Sequence, residues 1–304
     1  MASLALGIDI GGTNTKFGLI HSDGRILDHS KIDTLAEEPF SNYLDRVEIE
    51  VKRLITPYKN KVMGIGLGAP CASAVTGLME NPPNLQVWGT LPLQKLFHER
   101  FQLPVFLDND ANISAVGEGQ WGVAKGLKNF VVITLGTGVG TGIIVNGQML
   151  TGTSGFAGEG GHIIIHPEGR PCSCGGIGHL EAYCSVKGIK QTYKELFNEE
   201  TGFREMSVKY FAGDSKALKC VETTADHLGW GLATMSALFL PDMFVLGGGV
   251  SSLGDNFATL VEASLNRHVF PSFRNKVPVK ISSISTTDGA IMGAASLVFS
   301  ASSV

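Results

Sequence analysis

The chain has 304 residues, 43% apolar and 17% charged, with a formal charge of −4 from 24 basic and 28 acidic side chains. These values exclude a disordered or fibrous chain and leave no electrostatic footprint for nucleic acid or for an anionic membrane surface. At this length one core is near its limit, so two α/β domains with a cleft between them are expected, and 39 glycines, well above the roughly 7% of average usage, point to tight turns and close approach of backbone to a ligand.

The opening stretch, MASLALGIDIGG, carries neither a basic segment nor an apolar run of signal-peptide length, so a cytoplasmic location is the expectation. Leu4–Ile10 reads as an apolar strand, Gly11–Asn14 as a turn, and Thr15–Ile20 as a returning strand before Ser22-Asp23-Gly24. A helix at Phe40–Ile55, a strand at Val62–Leu67, a Pro- and Asn-rich loop at Glu80–Leu91, a helix at Leu93–Arg100, a strand at Val105–Leu107 and a helix over 110–120 follow. The first pattern then returns about 125 residues on: strand Phe130–Leu135, glycine turn Gly136–Gly140, strand Thr141–Val145. His162–Gly178 is dominated by Gly, Pro and Cys, so something other than an apolar core must hold it. From Leu180 to about Leu240 the pattern is helical with a break at Ala212–Ser215, and the apolar run Leu232–Val250 is too interrupted by Pro241 and Asp242 to span a membrane. Phe244–Leu246 is a short strand entering Gly247-Gly248-Gly249, and a helix from Gly289 to about Phe299 closes the series.

Four clusters carry chemistry. In Asp9-Ile10-Gly11-Gly12-Thr13-Asn14-Thr15-Lys16 two glycines let backbone N–H groups converge on an anion, Thr13 adds a hydroxyl, Lys16 a cation, and Asp9 a carboxylate for Mg²⁺; alone, the segment reads equally well as an ordinary hairpin turn. Thr134–Gly142 offers a second cradle with Thr137 as donor. Neither is a Walker A loop, and the relaxed dinucleotide pattern Gly64-x-Gly66-x-x-Ala69 runs into Pro70 where a helix should open. Asp108-Asn109-Asp110-Ala111-Asn112 places a carboxylate at a strand end, suited to act as general base toward a sugar hydroxyl; Asp108 or Asn109 serves as a helix cap, which leaves Asp110 as the chemical candidate. His162, Cys172 and Cys174, with His179 five residues further on, have the residue types and spacing of a zinc site. The cysteine total, five, is odd and gives no disulfide framework; Cys184 and Cys220 are expected to be buried apolar side chains.

Together these segments, with Glu159-x-x-His162, Cys172-x-Cys174-Gly175-x-x-Gly178 and Glu181, resemble the ROK family (repressors, open reading frames and sugar kinases) over essentially the whole chain. The resemblance implies an α/β, two-domain actin/hexokinase-like (ribonuclease H-like) fold with an interdomain cleft, the smaller domain from 1–110 with 290–304 and the larger from 111–289. It implies that Asp110 deprotonates the sugar and that Asn109, Glu159, His162 and Glu181 bind it. Asp9, Gly11, Gly12, Thr13, Lys16, Thr137 and Gly138 are then expected around the ATP phosphates and Mg²⁺, with Gly248 and Gly249 near the nucleoside, and a homodimer is implied. The family's last zinc-loop cysteine is His179 here, so the expected Zn²⁺ ligands are His162, Cys172, Cys174 and His179.

The loop Asn81–Trp88 and Gly68-Ala69-Pro70 are most similar to the glucokinase branch, in which Asn84 would reach sugar hydroxyls, although Cys71 and Ala72 depart from it. Kinases of N-acetylmannosamine, N-acetylglucosamine and fructose share the other motifs, and polyphosphate as donor would employ similar cradles. The family's sugar-responsive repressors carry a DNA-reading module that eight residues before Asp9 cannot build, so the expectation is a hexose kinase.

Overall fold

The computed structural model describes residues 3–58, 61–285 and 288–301; of the expected domain ranges, 1–2, 59–60, 286–287 and 302–304 lie outside the described residues. In chain order the elements are β1 (Leu4–Ile10), β2 (Asn14–His21), β3 (Ile26–Asp33), α1 (Phe40–Ile55), β4 (Val62–Gly68), α2 (Leu93–Phe101), β5 (Val105–Asp108) and α3 (Asp110–Trp121). There follow β6 (Phe130–Leu135), β7 (Val139–Val145), β8 (Gln148–Met149), α4 (Glu181–Cys184), α5 (Val186–Phe197), α6 (Phe203–Phe211), α7 (Ser215–Phe239), β9 (Met243–Gly247), α8 (Asp255–His268), β10 (Val279–Ile281) and α9 (Gly289–Ala301).

Backbone proximity divides the chain into two units, one of Met1–Lys125, Met149–Ala157 and Ile284–Val304, the other of Gly126–Gln148 and Gly158–Ser283. Each holds a five-stranded sheet, in the orders β3-β2-β1-β4-β5 and β10-β9-β6-β7-β8. Read from opposite ends the two orders are the same: an antiparallel hairpin and a third strand on one side of the first strand, parallel strands on the other. The repeat legible as two glycine hairpins is thus a repeat of whole sheets, and the fold is the mixed α/β, actin/hexokinase-like one.

In the first unit β1 is a central strand covered on both faces, which is why its sequence is a nearly unbroken apolar run. α1 buries Tyr43, Val47, Val51 and Leu54, one residue per turn, against a core that includes Ile8, Phe17, Leu67, Trp88 and Phe97. The opposite face takes α9, which packs so closely that a Cβ on Gly7 or Gly66 would meet the carbonyl oxygens of Ile291 and Ala294 at 1.9 and 1.8 Å. That close packing explains the strand glycines that mimic a dinucleotide fingerprint. α3 lies against the same helix, Gly117 facing Gly293, and therefore groups with the first unit, where this division departs from the boundary expected at residue 110.

In the second unit Phe130, Ile133, Phe244 and Leu246 of the sheet and Leu228, Leu232, Phe257 and Val261 of α7 and α8 are buried. Cys184 and Cys220 are also buried, and burial pushes the Cys220 thiol up to about 12 and Cys184 higher still, as inert packing thiols require. Among the described residues no helix is long and apolar enough to cross a membrane.

Candidate active site

The first unit assembles its candidates at one end of its sheet. Register places Asp9 of β1 beside Gly68 of β4, and Gly68 beside Asp108 of β5, so all three stand at the carboxyl ends of parallel strands, the edge where α/β sheets bind ligands. The turn Gly11–Thr13 closes β1 on β2, with Asp9 opposite Lys16 in the ladder and Gly11 N–H donating to Asn14 O at 3.1 Å. Beneath it Thr34 Oγ1 donates to Gly11 O at 2.7 Å and bonds Thr15 Oγ1, which also meets the Tyr43 hydroxyl at 3.0 Å. This buried hydroxyl cluster fixes the turn from below and leaves Thr13 exposed.

Asn84 sits directly against that turn: a Cβ on Gly12 would lie 2.8 Å from the Asn84 Cβ. The loop reaches this position because Leu85 and Trp88 are anchored in the core, the Trp88 indole N–H donating to Glu38 O at 2.8 Å, while Asn84 stays exposed. Cys71 at the base of the same loop has φ of 52° and its carbonyl accepts the Glu80 N–H, so the chain keeps a left-handed backbone, which favours glycine, with a cysteine side chain on it.

Of the three residues 108–110, Asn109 is the cap, its side chain accepting the Asn112 N–H at 2.7 Å. Buried Asp108 accepts from the Asn112 side chain and the Asn109 N–H, which makes it a structural bracket. Asp110 begins α3 with its side chain open to solvent, and its Oδ1 accepts the Ala111 N–H at 2.9 Å. The protein packed around its carboxyl nonetheless raises its pKa against the pull of the Ala111 and Asp110 N–H groups. Asp9 is pushed up to about 6, chiefly by burial, with Asp110 adding to the rise and Lys16 opposing it. The Asp110 carboxylate is thus close enough to Asp9 to act on its ionisation.

The second unit brings together the remaining candidates. Gly136 N–H donates to Gly138 O at 3.0 Å to close the second turn, Thr137 is exposed at its tip, and the Val186 N–H at the start of α5 ties Gly136 O at 2.8 Å. Gly248, at φ of 82°, packs on Leu135 just before that turn, so Gly248 and Gly249 neighbour the cradle in space. Glu181 adds a link that sequence reasoning missed: its Oε2 accepts the Val139 N–H at 3.0 Å, while its Oε1 accepts from Ser173 Oγ and stands 3.5 Å from Cys172 Sγ. It joins the second glycine turn to the cysteine loop, a tertiary contact with no signature along the chain.

The ligand atoms of His162, Cys172, Cys174 and His179 all lie within 4.8 Å of one another. Cys174 Sγ is 3.2 Å from His179 Nδ1 and Cys172 Sγ is 3.9 Å from His162 Nδ1. A tetrahedral zinc with usual bond lengths sets sulfur and nitrogen ligands about 3.6 Å apart, so this donor set fits that ion. The His162 ring divides its labour: Nδ1 faces the cysteine while Nε2 lies 3.8 Å from Glu159 Oε2. The loop has a second anchor besides the cluster. Arg170 donates to Ala182 O, Gly188 O, Thr192 Oγ1 and Glu195, and stacks over Tyr183 with 4.5 Å to the ring centroid.

Two glycine cradles on matched sheets, a carboxylate at the first turn of a helix and a polar loop beside one cradle define an ATP-dependent sugar kinase. The ROK family model matches residues 5–301, and the chain belongs to the ROK family. A glucokinase from Halalkalibacterium halodurans is 35% identical, the match covering 95% of this chain and 93% of that protein. The crystal structure of a ROK family glucokinase from Streptomyces griseus in complex with glucose and AMPPNP superposes with a TM-score of 0.82 at 30% identity, covering 97% of this chain and 99% of the other. A putative xylose repressor from Caldicellulosiruptor is 28% identical across 98% of this chain, which spans 78% of that protein.

Proposed function

We propose that this ROK kinase transfers the γ-phosphoryl group of ATP to the 6-hydroxyl of glucose, with Asp110 as general base. The observation that carries the reading is the placement of Asp110: it opens α3 beside the strand ends that hold Asp9, with one oxygen steadied by its neighbour's N–H and a second to take a proton. In the step, the O6–H proton passes to the Asp110 carboxylate as O6 bonds the γ-phosphorus and the bond to the ADP oxygen breaks. Such base assistance is worth about 10²–10⁴-fold, and the remainder comes from alignment and from charge stabilisation by the cradles.

Gly11, Gly12, Thr13, Thr137 and Gly138 are assigned to the phosphates, Gly248 and Gly249 to the nucleoside. Asp9, with Lys16 opposite, is the residue that would hold Mg²⁺, which when bound neutralises phosphate charge. Asn84, Asn109, Glu159, His162 and Glu181 are assigned to sugar hydroxyls; Asn109 retains its amide N–H₂ for this because only its oxygen is spent on the cap. Zinc on His162, Cys172, Cys174 and His179 would be structural, with no open position, and His162 would present its other nitrogen toward Glu159 and the sugar. The preference for glucose is supported by the Halalkalibacterium glucokinase likeness and by Asn84 at the cradle's side.

The test is a coupled ADP-release assay over glucose, mannose, fructose, N-acetylglucosamine and N-acetylmannosamine. Glucose should give the highest kcat/KM, and Asn84→Ala should lower it by about ten- to a hundredfold, the cost of one lost hydrogen bond to substrate. A higher kcat/KM for N-acetylmannosamine overturns the substrate assignment.

A further inference from the structure

Ser173 lies between Cys172 and Cys174, and none of the assigned roles uses it. It stands at the tip of a short hairpin, closed by the Cys172 N–H on Gly176 O at 2.8 Å and by the Gly175 N–H on Cys172 O at 3.1 Å, with Pro171 bridged to Ile177 at its base. The hairpin turns the two cysteine side chains toward His162 and His179, and the hydroxyl between them toward Glu181. There Ser173 Oγ donates to Glu181 Oε1, a charge-assisted hydrogen bond when the carboxyl is ionised. Hydroxyls on the helices return their proton to the carbonyl one turn back, as Ser114 does to Asp110 O, Thr223 to Lys219 O and Thr259 to Asp255 O. Ser173 instead reaches a carboxylate eight residues on.

That carboxylate is bounded on its other side as well. Glu181 Oε2 accepts the Val139 N–H at 3.0 Å, at the start of β7. Each oxygen therefore has a protein donor, which fixes the plane of the group, and a carboxylate offers about four acceptor positions in all, so some remain for the hydroxyl groups of a ligand. Cys172 Sγ, 3.5 Å from Oε1, is a weak donor and belongs to the cysteine–histidine cluster. The Val139 donor is backbone and comes with the strand, whereas the Ser173 donor depends on the side chain at that position. Without it Glu181 keeps the Val139 contact and its carboxylate can turn about Oε2.

We propose that Ser173 is a positioning residue for the sugar: its hydroxyl holds Glu181 Oε1, so that the carboxylate meets the sugar's hydroxyl groups already oriented. The proposal rests on the assignment of Glu181 to the sugar and deepens it by naming what aims that side chain. A glutamate has several rotatable bonds, and freezing them before the sugar arrives leaves less to be ordered on binding. Both ends of the bond lie within two residues of the cluster, Ser173 between its cysteines and Glu181 just after His179, so the order of that loop reaches the sugar through one hydroxyl. The bond is made without any ligand, and its effect therefore falls on sugar binding and not on the transfer step.

The experiment compares the wild type with Ser173→Ala, Ser173→Thr, Glu181→Ala and the double variant Ser173→Ala/Glu181→Ala. Each is assayed for kcat and for the KM of ATP and of the sugar with the highest kcat/KM, with limited proteolysis of the 162–178 loop as the check on its order. Ser173→Ala should raise sugar KM by about three- to tenfold, with kcat within about twofold, ATP KM unmoved and the loop cleaved at the wild-type rate. Ser173→Thr retains the hydroxyl and should keep sugar KM within about twofold of the wild type. In the Glu181→Ala background the serine change should cost less than about twofold, as two residues acting through one bond require. A sugar KM unchanged in Ser173→Ala but raised in Glu181→Ala overturns the proposal and leaves the Glu181 assignment standing. A threonine variant that behaves like alanine overturns it too, as does a serine effect undiminished without Glu181 or one that comes only with faster cleavage of the loop. A Glu181→Ala variant with the wild-type sugar KM fails one step earlier, at the assignment of Glu181 to the sugar, and the proposal falls with it.

Discussion

Replacing Asp9 by Asn should make the ligand-free protein more stable at neutral pH while removing its activity. Asp9 titrates near 6 instead of its ordinary 3.8, chiefly because burial strips water from the carboxylate, and the attraction of Lys16 only partly repays that loss. A carboxyl whose pKa is higher folded than unfolded opposes folding when ionised: the penalty is absent below about pH 4, grows between 4 and 6, and is complete above 6. The displacement from 3.8 to about 6, at about 1.4 kcal/mol per pH unit, amounts to about 3 kcal/mol. Asparagine is neutral at every pH and escapes the penalty, so Asp9→Asn should gain up to about 3 kcal/mol at pH 7.5 and only about 1 kcal/mol at pH 4.5. Urea unfolding of magnesium-free protein, followed by the fluorescence of Trp88 and Trp121 in the same unit, reads this directly. A variant no more stable than wild type at pH 7.5, or one whose gain does not fade toward pH 4.5, refutes the reasoning that Asp9 is held charged at a cost for the sake of its ligand.

The same raised pKa values set the acid limb of kcat/KM. Asp9, at about 6, must be ionised, as must Asp110, whose carboxyl is also raised, so activity should already be falling as the pH drops through 6, and a plateau persisting below pH 4.5 would contradict it. Gly138→Val would drive a Cβ to 2.5 Å from Glu181 Oε2, and Gly12→Val one to 2.8 Å from Asn84 Cβ. Both should raise KM for ATP by about tenfold or more with native circular dichroism, and the second should also raise KM for sugar. Unchanged ATP affinity in both folded variants removes the cradles from the phosphate site. His179→Ala or chelation should release about one zinc per chain, raise sugar KM and open the loop to proteolysis, whereas His179→Cys should retain the metal. Full activity with far less than one zinc in the wild type argues against the site.

What could be read along the chain was local. The two hairpins announce themselves as apolar runs broken by glycine turns, and α1 by one buried residue per turn. β3 went unread because it is an edge strand with half its residues exposed, and Asp28, His29, Ser30 and Lys31 give it no apolar run. β10 is only three residues long, with no room for a pattern. α8 did carry a signal, Phe257, Val261 and Leu265 at four-residue spacing and all buried, which the glycines and short strand just before it obscured. At the site, residue types were legible and their division of labour was not. Sequence left Asp108 and Asn109 as equal candidates for the cap, and only the hydrogen bond to Asn112 separates them. The Arg170 fan and the Glu181 bridge join residues whose partners are chosen by folding, so no spacing rule could show them.

Turnover by Asp110→Asn tests the central claim most directly. The substitution preserves the size of the side chain at the head of α3 and removes its basicity, so kcat for glucose phosphorylation should fall by about 10²–10⁴-fold while glucose affinity, read by intrinsic fluorescence, stays within about twofold. A variant that keeps more than about half its kcat would show that no general base acts at this position and would contradict the mechanism proposed for this kinase.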